Sequence, residues 1–274
     1  MSRSYSRLLT TLVTGLTAPL SRRQQRRTIA RLINRLTEDS LSEIETARGT
    51  IKLYGLKSGY VASAVERFHS DEPETLKFID QINDGEILWD IGANIGIYSL
   101  YAALHPTVTV YAFEPSGFNF GLLVEHIALN NLGGRIKPLC IGLSDHTAID
   151  TLNMTNTESG HAGNALGDAS NQFEHFDAFF TQAVLAYRID DFVTRFGLEI
   201  PQHIKLDVDG IEPLIIAGAI DTLPKVKRML IEVEGRNAEQ VNTLIESPLQ
   251  AAGFHEDLSV RASGSGRNRL YVRQ

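Results

Sequence analysis

The stretch Leu88-Trp89-Asp90-Ile91-Gly92-Ala93-Asn94-Ile95-Gly96 decides the fold of this chain. Residues 87–91 form a short apolar run, which is typical of a buried strand, and residues 93–104 continue with helical character. The glycines between the two patterns predict a tight turn from strand to helix. A strand that turns directly into a helix is the first half of the strand–helix–strand unit from which parallel sheets are built.

The same alternation continues along the chain. Five more apolar runs predict strands: Val108–Phe113, Ile136–Leu143, Ile204–Val208, Met229–Val233 and Leu270–Val272. Helical patterns lie between them: Phe118–Leu132, a segment from about Glu212, and Ala238–Ala252. We therefore predict an α/β fold, with a mostly parallel sheet that carries helices on both faces.

Two segments depart from this alternation. Residues 49–70 indicate an antiparallel lead-in with turns at Gly55 and at residues 57–59. Residues 150–187 are weakly patterned and rich in Asn, Ser, Gly and His. A connection of that length in a compact fold is usually a lid, a binding loop or a mobile segment.

The turn after the first strand is a candidate ligand site. In an open α/β sheet, ligands bind beyond the carboxyl ends of the strands. Gly92 and Gly96 would let the backbone turn sharply and come close to a ligand. Asp90 ends the strand, where its carboxylate could accept hydrogen bonds from a ligand ammonium. A glycine pair alone is also consistent with a tight turn that binds nothing.

A second acid supports the ligand interpretation. Glu114 follows Asp90 by 24 residues, ends the second strand, and precedes Pro115. An acid at this place can accept hydrogen bonds from both hydroxyls of a ribose, although it could instead cap the helix that begins near residue 116. Dinucleotide sites prefer G-x-G-x-x-G, because the middle glycine lets pyrophosphate approach the helix. Asn94 and Ile97 stand at the later glycine positions, which favours S-adenosylmethionine (SAM) over NAD.

Four motifs resemble those of the FkbM family of SAM-dependent methyltransferases: Asp90-Ile-Gly-Ala-Asn-Ile-Gly96, Ala112-Phe-Glu-Pro115, Leu129-Asn130 and His203-Ile-Lys-Leu-Asp-Val-Asp-Gly-Ile-Glu212. The resemblance runs from about residue 72 to residue 234. It implies a class I SAM methyltransferase (Rossmann-like) fold, a seven-stranded mostly parallel sheet whose last strand is antiparallel. It also implies O-methylation of a hydroxyl on a sugar, glycan or related natural product.

The resemblance assigns cofactor-binding positions in this sequence. It implies that the methionine side of SAM lies against Asp90, Gly92, Asn94 and Gly96. It implies that Glu114 holds the ribose, and that Ser144 and Asp145 lie near the adenine. Two other classes of function remain open beside it, a nicotinamide-dependent oxidoreductase and a non-catalytic binding module with the same fold.

The catalytic candidates end the fourth strand, in Lys205-Leu-Asp207-Val-Asp209-Gly-Ile-Glu212. Strand alternation predicts that Lys205, Asp207 and Asp209 share one side. We predict that Asp207, Asp209 or Glu212 assists removal of the proton from the acceptor hydroxyl. The structural alternative is that Asp207 pairs with Lys205 and that Glu212 stabilises the first turn of a helix.

Other assignments for the proton acceptor stay open. We predict a site without metal, the alternative being a divalent cation held by Asp207 and Asp209 with Glu232 or Glu234. Histidine is the usual base near neutral pH. Two histidines of the long connection could reach an acceptor: His161 and His175.

The charge of the chain is divided unevenly. The net charge is −7, yet residues 1–37 contain eight arginines and no acid, so residues 38–274 carry −15. An acidic body argues against a nucleic-acid substrate, because it repels phosphate. The single cysteine, Cys140, cannot form an internal disulfide and fits a reducing, cytoplasmic compartment.

The arginine-rich segment has a pattern of its own. Apolar residues recur at helical spacing and predict two short amphipathic helices, broken near residues 15–19. Such helices can contact a membrane surface, or they can pack on the body of the protein or on a second subunit of a homo-oligomer. We therefore divide the chain into a basic amphipathic extension (1–48), a lead-in (49–70) and a methyltransferase domain (71–274).

Overall fold

A computed structural model describes residues 2–170, 174–233 and 241–273. Glu234 and the first part of the helix predicted for residues 238–252 lie outside these ranges. The strands are β1 Ser42–Thr46, β2 Gly49–Leu53, β3 Ile87–Ile91, β4 Thr109–Phe113, β5 Ile136–Leu139, β6 Gly142–Leu143, β7 Ala148–Met154, β8 Ala165–Leu166, β9 Phe180–Tyr187, β10 His203–Leu206, β11 Arg228–Glu232, β12 Phe254–Asp257 and β13 Asn268–Arg273.

The α-helices alternate with these strands. They are α1 Ser2–Thr17, α2 Arg22–Glu38, α3 Gly59–Arg67, α4 Pro73–Asp80, α5 Ile97–Ala103, α6 Gly117–Leu129, α7 Ile189–Phe196, α8 Glu212–Ala217, α9 Ser247–Ala251 and α10 Leu258–Ser263. Short 3₁₀ turns occupy Gly55–Lys57 and Leu223–Lys225, and a π-helical turn over Val241–Glu246 leads into α9.

The main sheet has seven strands in the order β12-β13-β11-β10-β3-β4-β5. The pairs among β11, β10, β3, β4 and β5 are parallel, whereas β13 runs antiparallel to both of its neighbours. The predicted class I methyltransferase topology, with its antiparallel last strand, is confirmed. The strand β12 was not predicted, because Phe254 is the only apolar residue in Phe-His-Glu-Asp and leaves no strand pattern.

Side chains of the main sheet alternate between two apolar layers. In β3, Leu88 faces the layer that contains α5 and α6, while Trp89 and Ile91 face the layer that contains α7 and α8. All five residues of β3 are buried. A strand buried on both faces needs apolar side chains on both, which explains the continuous run in the sequence.

The lead-in differs from its prediction. The hairpin β1–β2 starts at Ser42, inside the stretch assigned to the extension, and residues 59–67 form α3 where the sequence indicated antiparallel structure. Ile44, Ile51 and Val61 join the α5–α6 layer. This segment is therefore packed against the same core as the main sheet.

The long connection is also more ordered than predicted. Residues 148–154 and 180–187 are β7 and β9, which pair antiparallel along seven residues and belong to a second sheet in the order β6-β9-β7-β8. The run 136–143 contributes to both sheets, with β5 in the main sheet and β6 in the second. The part of the connection between β7 and β8 contributes His161, Ala162 and Asn164 to the cavity at the carboxyl edge of the main sheet.

Candidate active site

Two adjoining cavities open at the carboxyl edge of the main sheet. The first lies beyond β3, β4 and β5, and the second lies between α3, α5 and the ends of β10 and β11. Five residues line both cavities, which therefore meet at one place: Gly92, Asn94, Ala162, Asp207 and Asp209. This shape fits two ligands, one in each cavity, whose reacting ends meet at the junction.

The turn after β3 has the left-handed backbone that its glycines allow. Gly92 has φ +84° and Gly96 has φ +87°. A Cβ at Gly92 would overlap the carbonyl oxygen of Asp207, and a Cβ at Gly96 would overlap the side chain of Leu123. Both glycines are thus required by close contacts within the protein. Gly92 also lines both cavities, as expected for a ligand site, whereas Gly96 lines neither.

Glu114 ends β4 and lines the first cavity. Its Oε2 accepts a hydrogen bond from the backbone N–H of Asn94 at 2.8 Å, and its Oε1 accepts one from Ser116 N–H at 2.8 Å. The carboxyl group therefore joins the β3 turn to the start of α6. Burial raises its pKa to about 7, because removal from water disfavours the charged form.

The carboxyl group of Glu114 keeps capacity for a ligand. Two carboxylate oxygens offer about four acceptor directions. The two backbone N–H groups use two of them, and the side chain of Asn119 also donates to this carboxyl group. A direction is left for a ribose hydroxyl. The geometry therefore fits the predicted role, while the helix-capping alternative is met by Ser116, whose Oγ accepts from Asn119 N–H at 3.4 Å.

Two amide oxygens in the first cavity point to a ligand as well. Within the described part of the chain, Oδ1 of Asn94 and Oδ1 of Asn164 are buried without a hydrogen-bond partner, an arrangement that costs free energy. The wall between them is apolar, formed by Phe113, Ile141 and Leu143 among others. Polar acceptors around an apolar slot suit a nucleoside, so the residues present fit SAM.

Four predicted cofactor residues lie outside both cavities: Gly96, described above, and Asp90, Ser144 and Asp145. Asp90 is 1% exposed, and its Oδ2 accepts from Ser99 Oγ at 2.5 Å, which ties β3 to α5. Ser144 and Asp145 follow β6, where Ser144 N–H bonds to the Tyr187 carbonyl and turns the chain into the second sheet. Contact of these side chains with SAM is therefore not supported by the geometry, and the corresponding cavity wall is residues 141–143.

A strap, residues 158–164, crosses the edge of the first cavity. The carbonyl oxygens of Gly160 and His161 accept from Asn94 Nδ2 at 3.3 Å and from Asn119 Nδ2 at 3.1 Å. At the far end, Gly163 N–H donates to Asp209 Oδ2 at 2.7 Å. This strap lies where the cavities meet, since Ala162 lines both of them. It is the part of the described connection that fits the predicted lid.

The end of β10 brings charged groups to the second cavity. Lys205 Nζ donates to Asp207 Oδ2 at 2.7 Å, and the lysine side chain is 3% exposed. Burial by itself would raise the pKa of Asp207, but the adjacent Lys205 ammonium holds it below its usual value. The pairing that the sequence left as a structural alternative is present, and it keeps Asp207 ionised.

Glu232, at the end of β11, is hydrogen-bonded to Asp207. Burial and the negative charge of Asp207 raise the pKa of Glu232. The pair therefore favours the ionised form of Asp207 and the protonated form of Glu232.

Two further members of this charged cluster, Glu72 and Arg267, were not predicted from the sequence. Oxygen atoms of Glu72, Asp207 and Glu232 lie within 4.8 Å of one another. Arg267 approaches Glu72 at 3.5 Å and Glu232 at 3.9 Å. Glu72 precedes α4 and Arg267 precedes β13, so no local pattern links them. Lys205 and Arg267 already supply positive charge to these carboxylates. Of the residues named for the cation alternative, Asp207 and Glu232 belong to this group and Asp209 does not, while Glu234 lies outside the described residues.

The other candidates for the proton acceptor differ in whether they reach the two cavities. Asp209 lines both cavities, has φ +61° and anchors the strap. Glu212 is fully buried and accepts from Val208 N–H at 3.0 Å, so it shapes the loop after β10 rather than facing a cavity. His161 lines the first cavity and contacts Tyr60 Oη at 3.0 Å. His175 is exposed and lines neither cavity.

Comparison with known proteins gives a consistent result. The methyltransferase FkbM domain model matches residues 90–258. The 31-O-demethyl-FK506 methyltransferase FkbM of Streptomyces tacrolimicus is 26% identical over 176 residues, 56% of this chain and 67% of that protein. The hexuronic acid methyltransferase AglP of Haloferax volcanii is 24% identical over 168 residues, 61% of this chain and 64% of that protein. The chain thus spans about two thirds of the length of these relatives.

Among solved structures, the fold is similar to fibrillarin of Aeropyrum pernix with natively bound SAM. The identity is 12% and the TM-score 0.40, covering 85% of this chain and 82% of fibrillarin. At that score the likeness adds nothing to the assignment of the fold, which rests on the strand order described above.

Proposed function

Because the chain belongs to the methyltransferase FkbM domain family and is a SAM-dependent methyltransferase, we propose that it methylates a hydroxyl group of a sugar, glycan or related natural product. The observation that carries this proposal is the junction of the two cavities at Asp207. An ionised carboxylate there faces both the cavity that fits SAM and the cavity left for an acceptor. The family excludes the nicotinamide alternative that the glycine spacing left open.

The first cavity holds the nucleoside portion in this proposal. Glu114 accepts from the ribose hydroxyls, residues 141–143 flank the adenine, and Asn94 directs its amide oxygen at the ligand. The methionine portion extends past Gly92 to the junction. When bound, SAM supplies a methyl group on a positively charged sulfur, which is already activated for transfer.

Asp207 is the proton acceptor in this proposal. Asp207 would accept a hydrogen bond from a hydroxyl in the second cavity and would take the proton of that hydroxyl. Lys205 keeps Asp207 ionised, and the proton on Glu232 fixes the orientation of the carboxylate. Positioning of the acceptor oxygen at the junction supplies much of the acceleration.

The lining of the second cavity favours a polyhydroxylated acceptor. Tyr60, Phe68 and Tyr98 offer flat apolar faces, and Arg67 and Arg267 offer hydrogen-bond donors. Flat faces beside polar groups suit a sugar ring. Two relatives support the same class, since one is named for O-methylation of a natural product and the other for methylation of a hexuronic acid.

Methyl transfer from SAM to a panel of acceptors tests the proposal. The panel contains a neutral glycoside, a hexuronic acid glycoside and a macrocyclic alcohol, and mass spectrometry detects S-adenosylhomocysteine together with the methylated product. We expect Asp207→Asn to lower kcat by about 100-fold or more, the scale of general base catalysis, with little change in the Kd of SAM.

The matched control is Asp221→Asn, which removes an exposed carboxylate that lines neither cavity. We expect this variant to keep full activity. Transfer that survives Asp207→Asn would move the proton acceptor elsewhere. Tight SAM binding with no transfer to any hydroxyl would instead favour a non-catalytic binding module.

A further inference from the structure

The helices α1 and α2 form an arm that precedes the folded body. Ser21 caps α2, with its Oγ accepting from Gln24 N–H at 3.4 Å, and Gln25 Nε2 donates to Thr17 Oγ1 at 3.1 Å across the turn. These bonds define the break between the two helices. The break falls near the position predicted from Gly15 and Pro19.

The apolar side chains of the arm face solvent. Seven of them are between 38% and 79% exposed: Leu8, Leu9, Leu12, Leu16, Leu32, Ile33 and Leu36. No residue of α2 is buried. Their spacing places them along one stripe of each helix, so the arm presents a continuous apolar face that its own body leaves uncovered.

The opposite face of the arm is cationic. In α2, Arg23, Arg27, Arg31 and Arg35 recur every four residues, on the side away from Ile29 and Ile33. Residues 1–37 hold eight arginines and no acid. An occupant of this surface must therefore accept an apolar stripe and offer many negative charges at once.

We propose that the arm docks on the surface of an anionic phospholipid membrane. A bilayer interface offers acyl chains to the apolar stripe and phosphate groups to the arginines within a few ångströms of depth. Pairing with the apolar stripe of a second copy would cover the leucines but leave the arginines on the outer faces without an anionic partner. No helix in the described ranges is long and apolar enough to cross a membrane, so the arm lies along the surface.

Flotation of the full chain with lipid vesicles tests this proposal. The probes are phosphatidylcholine vesicles and vesicles with about 30% phosphatidylglycerol, a composition in the range where each Arg near the surface contributes measurably. We expect binding to the anionic vesicles, none to the neutral ones, and loss of binding between about 0.1 M and 0.5 M salt as the charges are screened.

Three double variants test the cationic face of the arm, the apolar face of the arm and, as a control, the folded body. Arg27→Gln with Arg31→Gln should weaken binding by about 30-fold, since each arginine contributes about fivefold. Leu8→Gln with Leu12→Gln should abolish flotation. The matched control, Leu244→Gln with Leu258→Gln, removes two exposed leucines of the body and should float as the wild type does. Unchanged affinity for SAM would show that each variant is folded.

Several outcomes would overturn the proposal. Equal flotation of wild type and both arm variants would place the lipid contact elsewhere. Flotation with neutral vesicles as well as with anionic ones would show that binding does not depend on the arginines. A dimer in sedimentation equilibrium that Leu8→Gln with Leu12→Gln converts to a monomer, together with no flotation, would make the arm a subunit contact.

Discussion

Replacing the buried acid of the first cavity tests the cofactor site. Glu114→Gln keeps the size of the side chain but makes one of its two terminal atoms a donor. That atom must face Asn94 N–H or Ser116 N–H, each of which now donates at 2.8 Å. The variant also loses the charge that strengthens hydrogen bonds from ribose hydroxyls. We expect SAM binding to weaken by about 1–3 kcal/mol, or about 5- to 150-fold.

The pH dependence of SAM binding provides a second test of Glu114. The pKa of Glu114 is raised to about 7 by burial, and its ionised form is the better acceptor. Wild-type affinity should therefore fall as pH decreases from 8 to 6, approaching about tenfold for one proton. The amino group of SAM titrates near pH 8 in every variant, so its contribution cancels when the two proteins are compared.

Isothermal titration calorimetry at pH 6, 7 and 8 measures both effects. Glu125→Gln is the matched control, because this carboxylate lies on α6 and is half exposed beside Lys57. We expect the control to follow the wild type at every pH. Equal SAM affinity of Glu114→Gln and wild type, or parallel pH profiles for the two, would refute the assignment of Glu114.

Other predictions follow from the contacts around the junction. Gly92→Ala places a Cβ against the Asp207 carbonyl at φ +84°, so we expect a loss of at least about 2 kcal/mol in the free energy of unfolding, measured by urea denaturation. Gly121→Ala, in an open position on α6, should instead be neutral or stabilising by up to about 1 kcal/mol. Lys205→Met removes the positive charge beside Asp207 and should cost about 3–5 kcal/mol at pH 8. It should cost less at pH 5, because the carboxyl groups left without Lys205 have raised pKa values and their protonation relieves the penalty; an equal loss at both pH values would contradict this.

Local sequence patterns predicted the main sheet because β3, β4 and β11 are mainly apolar, while β10 alternates polar and apolar residues. They did not predict β12 or α3, whose formation depends on neighbours that are distant in the sequence. The strand β12 pairs with β13, and Val61 of α3 packs in the layer beside α5 and α6.

The site was predictable to the extent that its residues lie on strand ends. Gly92, Asn94, Glu114, Asp207 and Asp209 all line a cavity, as expected. Asp90 lines neither cavity, because strand alternation turns its side chain toward Ser99. Its contact with SAM stays a prediction. The residues that complete the acceptor cavity come from segments that only the folded chain brings together.

The protonation state of Glu232 was also not predictable from local sequence. Its proton depends on burial and on Asp207, and Asp207 in turn is held ionised by Lys205. Charge pairs of this kind depend on distances between strand ends, which a sequence does not contain. The sequence could offer Asp207, Asp209 and Glu212 only as alternatives, and burial separates Glu212 from the other two.

Parallel calorimetric titrations of the full chain with SAM, S-adenosylhomocysteine and NAD test the central claim most directly. The claim is that the first cavity binds the nucleoside portion of SAM. We expect micromolar binding of SAM and S-adenosylhomocysteine and no heat from NAD. Binding of NAD alone, or heat from none of the three ligands, would contradict the account.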